Sequence, residues 1–86
     1  MGKTIILGIL LTNRVSTSPA FQEIISKHGC SIKTRIGLHT VSDNVCSPDG
    51  VILLELYGDD EETAALEEAI KTIPGADVQK MVFNYR

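Results

Sequence analysis

The sequence predicts an α+β fold in the order strand, helix, strand, strand, helix, strand, closed into a four-stranded antiparallel sheet with both helices on one face. Three observations predict it. Two segments, Ile5 to Leu11 and Val51 to Leu56, are dense enough in Ile, Leu and Val to be strands buried on both sides. Apolar residues recur at helical spacing in two other stretches, at Phe21, Ile24 and Ile25 and at Leu66, Ala69, Ile70 and Ile73. The order of these segments lets right-handed crossovers place the first and third strands at the centre, which matches their apolar density.

Thr4 to Thr12 is the first strand. Ser16-Thr17-Ser18-Pro19 supplies helix-start chemistry. Hydroxyls cap, and proline fits the first turn, where its missing N–H had no partner. Asn13, Ser16 and Ser18 are all candidate caps. Phe21, Ile24, Ile25 and His28 then mark one helical face, and Gly29 is placed to stop the helix. Ile32 to Val41 alternates, with Ile32, Thr34, Ile36 and Leu38 on one face and Lys33, Arg35, Gly37 and His39 on the other.

Ser42 to Gly50 is rich in turn residues and reads as a loop. Val51 to Tyr57 is the third strand, ended by Gly58. Asp59 caps the second helix, with Glu62 three residues on to complete a capping box. Pro74-Gly75 breaks that helix. Ala76 to Phe83 is the last strand, and Asn84-Tyr85-Arg86 a tail. The arrangement is ferredoxin-like, and its two βαβ halves form a weak internal repeat.

With 86 residues, positions 1–86 form a single domain with a thin core. Aromatics are limited to Phe21, Tyr57, Phe83 and Tyr85, so that core is aliphatic. A net charge of −3 argues against direct nucleic-acid binding, which needs a basic face. Ile5 to Leu11 is far too short to cross a bilayer and lacks a cleavage pattern, so no membrane association is expected. Two cysteines without a signal peptide point to the cytoplasm.

Two helices cover only one side of such a sheet, and the other side should be polar if it met water. Instead both faces of the first and third strands carry large apolar residues: Ile5, Leu7, Ile9 and Leu11 against Ile6 and Leu10, then Ile52, Leu54 and Leu56 against Val51, Leu53 and Tyr57. A contiguous apolar face of that kind marks an interface. The chain is therefore expected to self-associate as a dimer or tetramer, sheet face on sheet face or edge beside edge.

Thr34-Arg35-Ile36-Gly37-Leu38-His39, the Cys46-containing segment and Gly50-Val51-Ile52-Leu53-Leu54-Glu55-Leu56 together resemble a known family. Asn13-Arg14, Gly29-Cys30 and Ile73-Pro74-Gly75-Ala76 add to the likeness in order and spacing. The family is that of the small stand-alone ACT-like proteins called iron-only hydrogenase system regulators. The resemblance implies a ferredoxin-like fold, oligomeric assembly and a regulatory role. By resemblance to ACT domains, which bind small molecules at the first strand–helix loop near subunit interfaces, Asn13 and Arg14 become candidate ligand residues. A more distant likeness is to the C-terminal metal-sensing domain of nickel-responsive repressors. There His39 matches one strand histidine and Cys46 the cysteine, while the second histidine of the pair and the DNA-binding domain have no counterpart in this sequence.

Imidazole and thiolate are good ligands for transition metals, so His39 and Cys46 form a candidate metal pair for nickel, zinc or iron. Two such ligands from each of two subunits would close a four-ligand site. The plainer reading is a strand-end histidine and a loop cysteine. His28 and Cys30 form another pair, although His28 on the apolar stripe fits a packed residue as well. Lys33, Arg35 and His39 on one face of an edge strand can hold a carboxylate or phosphate, with Arg14 reaching in from a neighbouring subunit. Their plainer reading is a solvated basic face or a salt bridge to Glu55. Asp59-Asp60-Glu61-Glu62 is explained by its place at a helix N-terminus.

No phosphate-binding glycine loop and no nucleophile motif is present, so the sequence favours a non-enzymatic module. The first reading is a homo-oligomeric regulatory module sensing a small ligand through Asn13, Arg14, Arg35 and His39. The second is a metal-binding module using His39 and Cys46 across an interface. No cofactor beyond that metal is called for.

Overall fold

The computed structural model describes the backbone of residues 2–42 and 45–85, and within these the side chains of 3–13, 17–37 and 50–85. The elements are β1 (Gly2–Leu11), α1 (Arg14–Lys27), a 3₁₀ turn (Gly29–Ser31), β2 (Ile32–Ser42), β3 (Val45–Leu56), α2 (Asp60–Lys71) and β4 (Ala76–Tyr85). The strands form one sheet in the order β2-β3-β1-β4, antiparallel throughout. This is the ferredoxin-like arrangement, with the two most apolar strands at its centre.

Alternation along β1 decides the layering. Ile5, Leu7, Ile9 and Leu11 are buried, together with Leu54 and Leu56 from β3. Phe21 and Ile25 of α1, Leu66 and Ile70 of α2 and Ile73 beyond it close over them from one side. Each such side chain contributes about 1.5–3 kcal/mol by leaving water, so these few residues carry most of the fold.

Of the three candidate caps, Asn13 holds the position: α1 begins at Arg14, directly after it, and its φ of 54° lies in the left-handed region. Ser16 and Ser18 therefore sit inside the helix rather than capping it. Pro19 falls beyond the first turn, where it leaves the carbonyl four residues earlier without its helical donor. Thr17, buried, ties the helix start to the loop before it: its hydroxyl donates to the carbonyls of Asn13 (3.2 Å) and Thr12 (3.3 Å). At the far end, Gly29 is not a left-handed stop. His28 is the cap residue, and Gly29 opens the 3₁₀ turn.

α2 starts as its sequence predicts, with the Asp59 carboxylate accepting the Glu62 N–H at 2.8 Å. The segment expected to be a loop, Ser42 to Gly50, is largely strand. β3 begins at Val45, and the register pairs Ser42 with Val45, Val41 with Cys46 and His39 with Gly50. Because Gly50 pairs on its other side with Leu11, the last residue of β1, everything beyond it is a two-stranded ribbon extending past the sheet.

A register shift between Ile32 and Thr34 changes which way β2 faces. Ile32 lies opposite Leu56 and packs on the core, whereas Thr34 opposes Glu55 and Ile36 opposes Leu53 on the open side. The expected single face of Ile32, Thr34 and Ile36 is thus broken by a bulge, which inserts one residue and reverses the alternation.

Candidate functional site

The uncovered side of the sheet is built by the alternate residues of all four strands. The register sets Ile6 between Glu55 and Met81, Gly8 between Leu53 and Gln79, and Leu10 between Val51 and Asp77. Ile36, Met81, Phe83 and Tyr85 are each about half exposed on it. Polar groups flank it on both sides: Asp77 and Gln79 on β4, and at the β2 side Glu55, which accepts from the Thr34 hydroxyl at 3.0 Å and meets Lys33 at 3.9 Å. What remains is a mostly apolar band crossing to β4, larger than the scattered apolar residues of an ordinary surface.

The expected ligand residues are spread over the molecule. Asn13 stands at the head of α1, at the end of the sheet where β1 finishes. The side chains of Arg14, His39 and Cys46 lie outside the described residues. Arg35 opposes Leu54 and, through it, Leu7, which sets it about 13 Å lower along the strands than Leu11 and about 10 Å across. Its guanidinium donates to the Gln22 side chain of α1 at 3.3 Å, on the helix side of β2. Asn13 and Arg35 of one chain therefore do not meet. Lys33 and Arg35 do not share a face either: Lys33 turns to Glu55 and Arg35 to α1, because Lys33 is the residue within the bulge. The salt bridge to Glu55 expected of the basic face is made by Lys33.

One groove escaped the sequence reading. At the opposite end from Asn13, Lys3, Lys33, Glu55, Tyr57, Asp59 and Tyr85 line a cleft of about 550 Å³. The signal lay in the topology. Lys3 opens β1, Lys33 opens β2, Tyr57 follows β3 and Tyr85 ends β4, so this chain order brings all four to one end. Its two lysines are already paired: Lys3 with Asp60 and Lys33 with Glu55. The Thr4 hydroxyl donates to the Tyr85 hydroxyl at 3.3 Å. The cleft is polar and open, without an uncompensated cation to hold an anion.

His28 and Cys30 line a second, shallower groove with Lys27, Asp59, Glu61 and Glu62. His28 is half-buried and Cys30 exposed. Among the described residues no three of His, Cys, Asp or Glu come close enough to hold a metal ion.

Glu67 of α2 is nearly buried beside β4, 3.0 Å from the Lys71 ammonium and 3.1 Å from that of Lys80. Burial pushes its carboxyl up, but the hydrogen bonds and charges of Lys71 and Lys80 win and hold it below the usual range. This cluster fastens α2 to β4. Among the described residues no helix is long and apolar enough to cross a membrane.

No protein-family model and no curated protein matches the chain. Solved structures match in fold. The uncharacterized protein TM1266 from Thermotoga maritima superposes with a TM-score of 0.80 at 23% identity, over 96% of this chain and 100% of that one. CPII from Thiomonas intermedia K12, a nitrogen regulatory PII-like protein bound to ADP, AMP and bicarbonate, gives 0.56 at 14% identity, over 99% and 97%. SnoaB, a cofactor-independent oxygenase from Streptomyces nogalater, gives 0.57 at 5% identity, over 100% and 95%. The shared property is the fold, which serves a ligand-binding regulator and an enzyme alike.

Proposed function

We propose that this chain is a small homo-oligomeric regulatory module without catalytic activity of its own, which takes a small ligand at a subunit interface. The observation that carries this reading is the half-exposed apolar band over the open side of the sheet, from Ile36 to Met81, Phe83 and Tyr85. Covering it against a second copy removes apolar area worth about 25 cal/mol per Å². One chain holds Asn13 and Arg35 apart, so a ligand site using both requires two chains. CPII, a nitrogen regulatory PII-like protein bound to ADP, AMP and bicarbonate, shares the fold, and the resemblance to iron-only hydrogenase system regulators points to a regulatory role.

Sedimentation and light scattering at tens of micromolar test the assembly. At least twice the chain mass is expected, and monomer alone defeats the reading. Thermal shifts with ADP, AMP, bicarbonate and free amino acids then test the ligand. A shift that disappears in Arg35→Ala and Asn13→Ala assigns the site, and a shift untouched by both removes these residues from it.

The ribbon supports a second reading. Cys46 pairs with Val41, two residues beyond His39, so the backbone brings the predicted metal pair to one region of the β2–β3 hairpin. Metal analysis of untagged protein decides it: stoichiometric nickel, zinc or iron that is lost in both His39→Ala and Cys46→Ser is the expected result.

A further inference from the structure

Apolar exposure is not uniform over the sheet. Met81, Phe83 and Tyr85 are 49%, 52% and 56% exposed on the open side of β4, and Val82 is 44% exposed on its helix side. A partner laid over the open face would leave Val82 in water. A partner laid along the edge of β4 would cover both sides at once.

The two edges of the sheet differ in how they are defended. β2 has two register irregularities and carries Lys33 and Arg35, features that blunt an edge against pairing. β4 keeps an unbroken register with β1 over its whole length, from Tyr85 opposite Gly2 to Ala76 opposite Leu11. It contains no proline, and its one lysine, Lys80, is drawn to Glu67 on α2 at 3.1 Å. Its outer backbone groups form a straight template that lacks the usual protections.

We propose that β4 pairs antiparallel with β4 of a second copy about a two-fold axis through Val82, joining two sheets into one of eight strands. This rests on the self-association reading above and names one surface for it; Arg35 and Ile36 lie on β2 at the opposite edge of the sheet, outside this contact. Opposed residues of an antiparallel pair point to the same side, which limits the registers. An axis through Lys80 sets lysine against lysine. An axis through Met81 sets each Lys80 against Val82. An axis through Phe83 shortens the ladder and sets Val82 against Asn84. The axis through Val82 sets like against like: Val82 on Val82, Met81 on Phe83, Lys80 on Asn84 and Gln79 on Tyr85, with no like charges opposed. Met81 then brings its sulfur to the partner's aromatic ring, a favourable contact. Phe83 and Tyr85 each show about half of a ring that can bury roughly 200 Å², so two copies bring on the order of 400 Å². Met81, Val82 and the strand backbones extend this toward the ~1,000 Å² of a specific interface.

The test is cysteine pairing in a Cys30→Ser/Cys46→Ser chain. Directly opposed residues have Cα atoms about 4.5–5.5 Å apart, within the roughly 4.4–6.8 Å that a disulfide spans. With oxidised glutathione as the electron acceptor, Val82→Cys is expected to give covalent dimer at least tenfold faster than Gln79→Cys, whose two copies would lie about 20 Å apart. Val82→Lys, measured without oxidant, is expected to be folded and monomeric, because it opposes two ammonium groups while leaving the open face untouched. A dimer that persists in Val82→Lys, with no preference for linkage at position 82, overturns the β4 pairing and leaves self-association standing. A parent chain that sediments only as monomer overturns both.

Discussion

Thr12 and Gly75 join the two crossovers of the fold: the Thr12 backbone N–H and its hydroxyl both donate to the Gly75 carbonyl, each at 2.9 Å. One carbonyl thus holds the β1–α1 loop, with Asn13 next in sequence, against the turn that leads into β4. The position tolerates little else. Gly75 has φ of +90°, and a Cβ there would stand 2.8 Å from the Thr12 Oγ1 and 3.4 Å from the Thr12 carbonyl oxygen.

Gly75→Ala should therefore destabilise the chain by about 2–3 kcal/mol, from left-handed strain together with the displaced threonine. Thr12→Val, which removes one hydrogen bond and keeps the shape, should cost about 1 kcal/mol. Urea unfolding measures both. A Gly75→Ala variant within about 0.5 kcal/mol of the parent would show that the loop clamp is dispensable.

The Asp59 cap gives a smaller and cleaner effect. Its carboxylate takes the Glu62 N–H at 2.8 Å on an exposed helix start. Asp59→Ala should cost about 1 kcal/mol, and Asp59→Asn, which keeps the acceptor oxygen, distinctly less. Equal losses in the two variants would assign the effect to charge at the helix end instead of to the cap.

These two sites show what was legible beforehand. The Asp59 cap follows from side-chain type and spacing and could be read; which face of β1 is buried could not, because both faces carry large apolar residues. Asn13 stood among three candidate caps that local chemistry did not separate, and its left-handed φ of 54° belongs to the folded loop. Pro48, Asp49 and Gly50 spell a turn, yet they continue β3; Pro48 and Asp49 lie beyond the end of β1, where a strand has a free edge that tolerates proline. The bulge between Ile32 and Thr34 has no glycine to announce it. That single inserted residue is why Lys33 and Arg35, alike on paper, diverge. The candidate ligand residues suffered accordingly: spacing put Arg35 on a shared basic face, while the sheet turns it toward Gln22.

Phe21 and Phe83 should give opposite outcomes on removal. Phe21 is fully buried under α1, and Phe21→Ala should lose about 3–5 kcal/mol, a large part of the roughly 5–15 kcal/mol that small domains possess. Phe83, 52% exposed, should cost the monomer little when changed to Ala. It should instead weaken self-association, seen as a lower average mass at equal concentration. Urea unfolding at low concentration and sedimentation at high concentration separate the two. A Phe83→Ala chain that keeps full assembly would take this ring out of the interface.

The Glu67 cluster sets a pH dependence whose sign can be worked out. The Lys71 and Lys80 ammonium groups hold the folded Glu67 carboxyl below its ordinary value despite burial. A depressed carboxyl stabilises the fold fully above the unfolded value of about 4.3 and loses that contribution as pH falls through the folded value. Lys71 is shifted the other way, raised by its hydrogen bond to Glu67. Its share is present below the unfolded lysine value of about 10.4 and is lost as pH rises through the folded one. Glu67→Gln should therefore be less stable than the parent, by about 1 kcal/mol, across the neutral range. The gap should close on acidification below about pH 4.3, where the parent loses its ion pairs and the variant has none to lose. Thermal unfolding of both chains between pH 2 and pH 8 measures the difference. A gap that stays constant to pH 2 would mean that Glu67 contributes through packing alone.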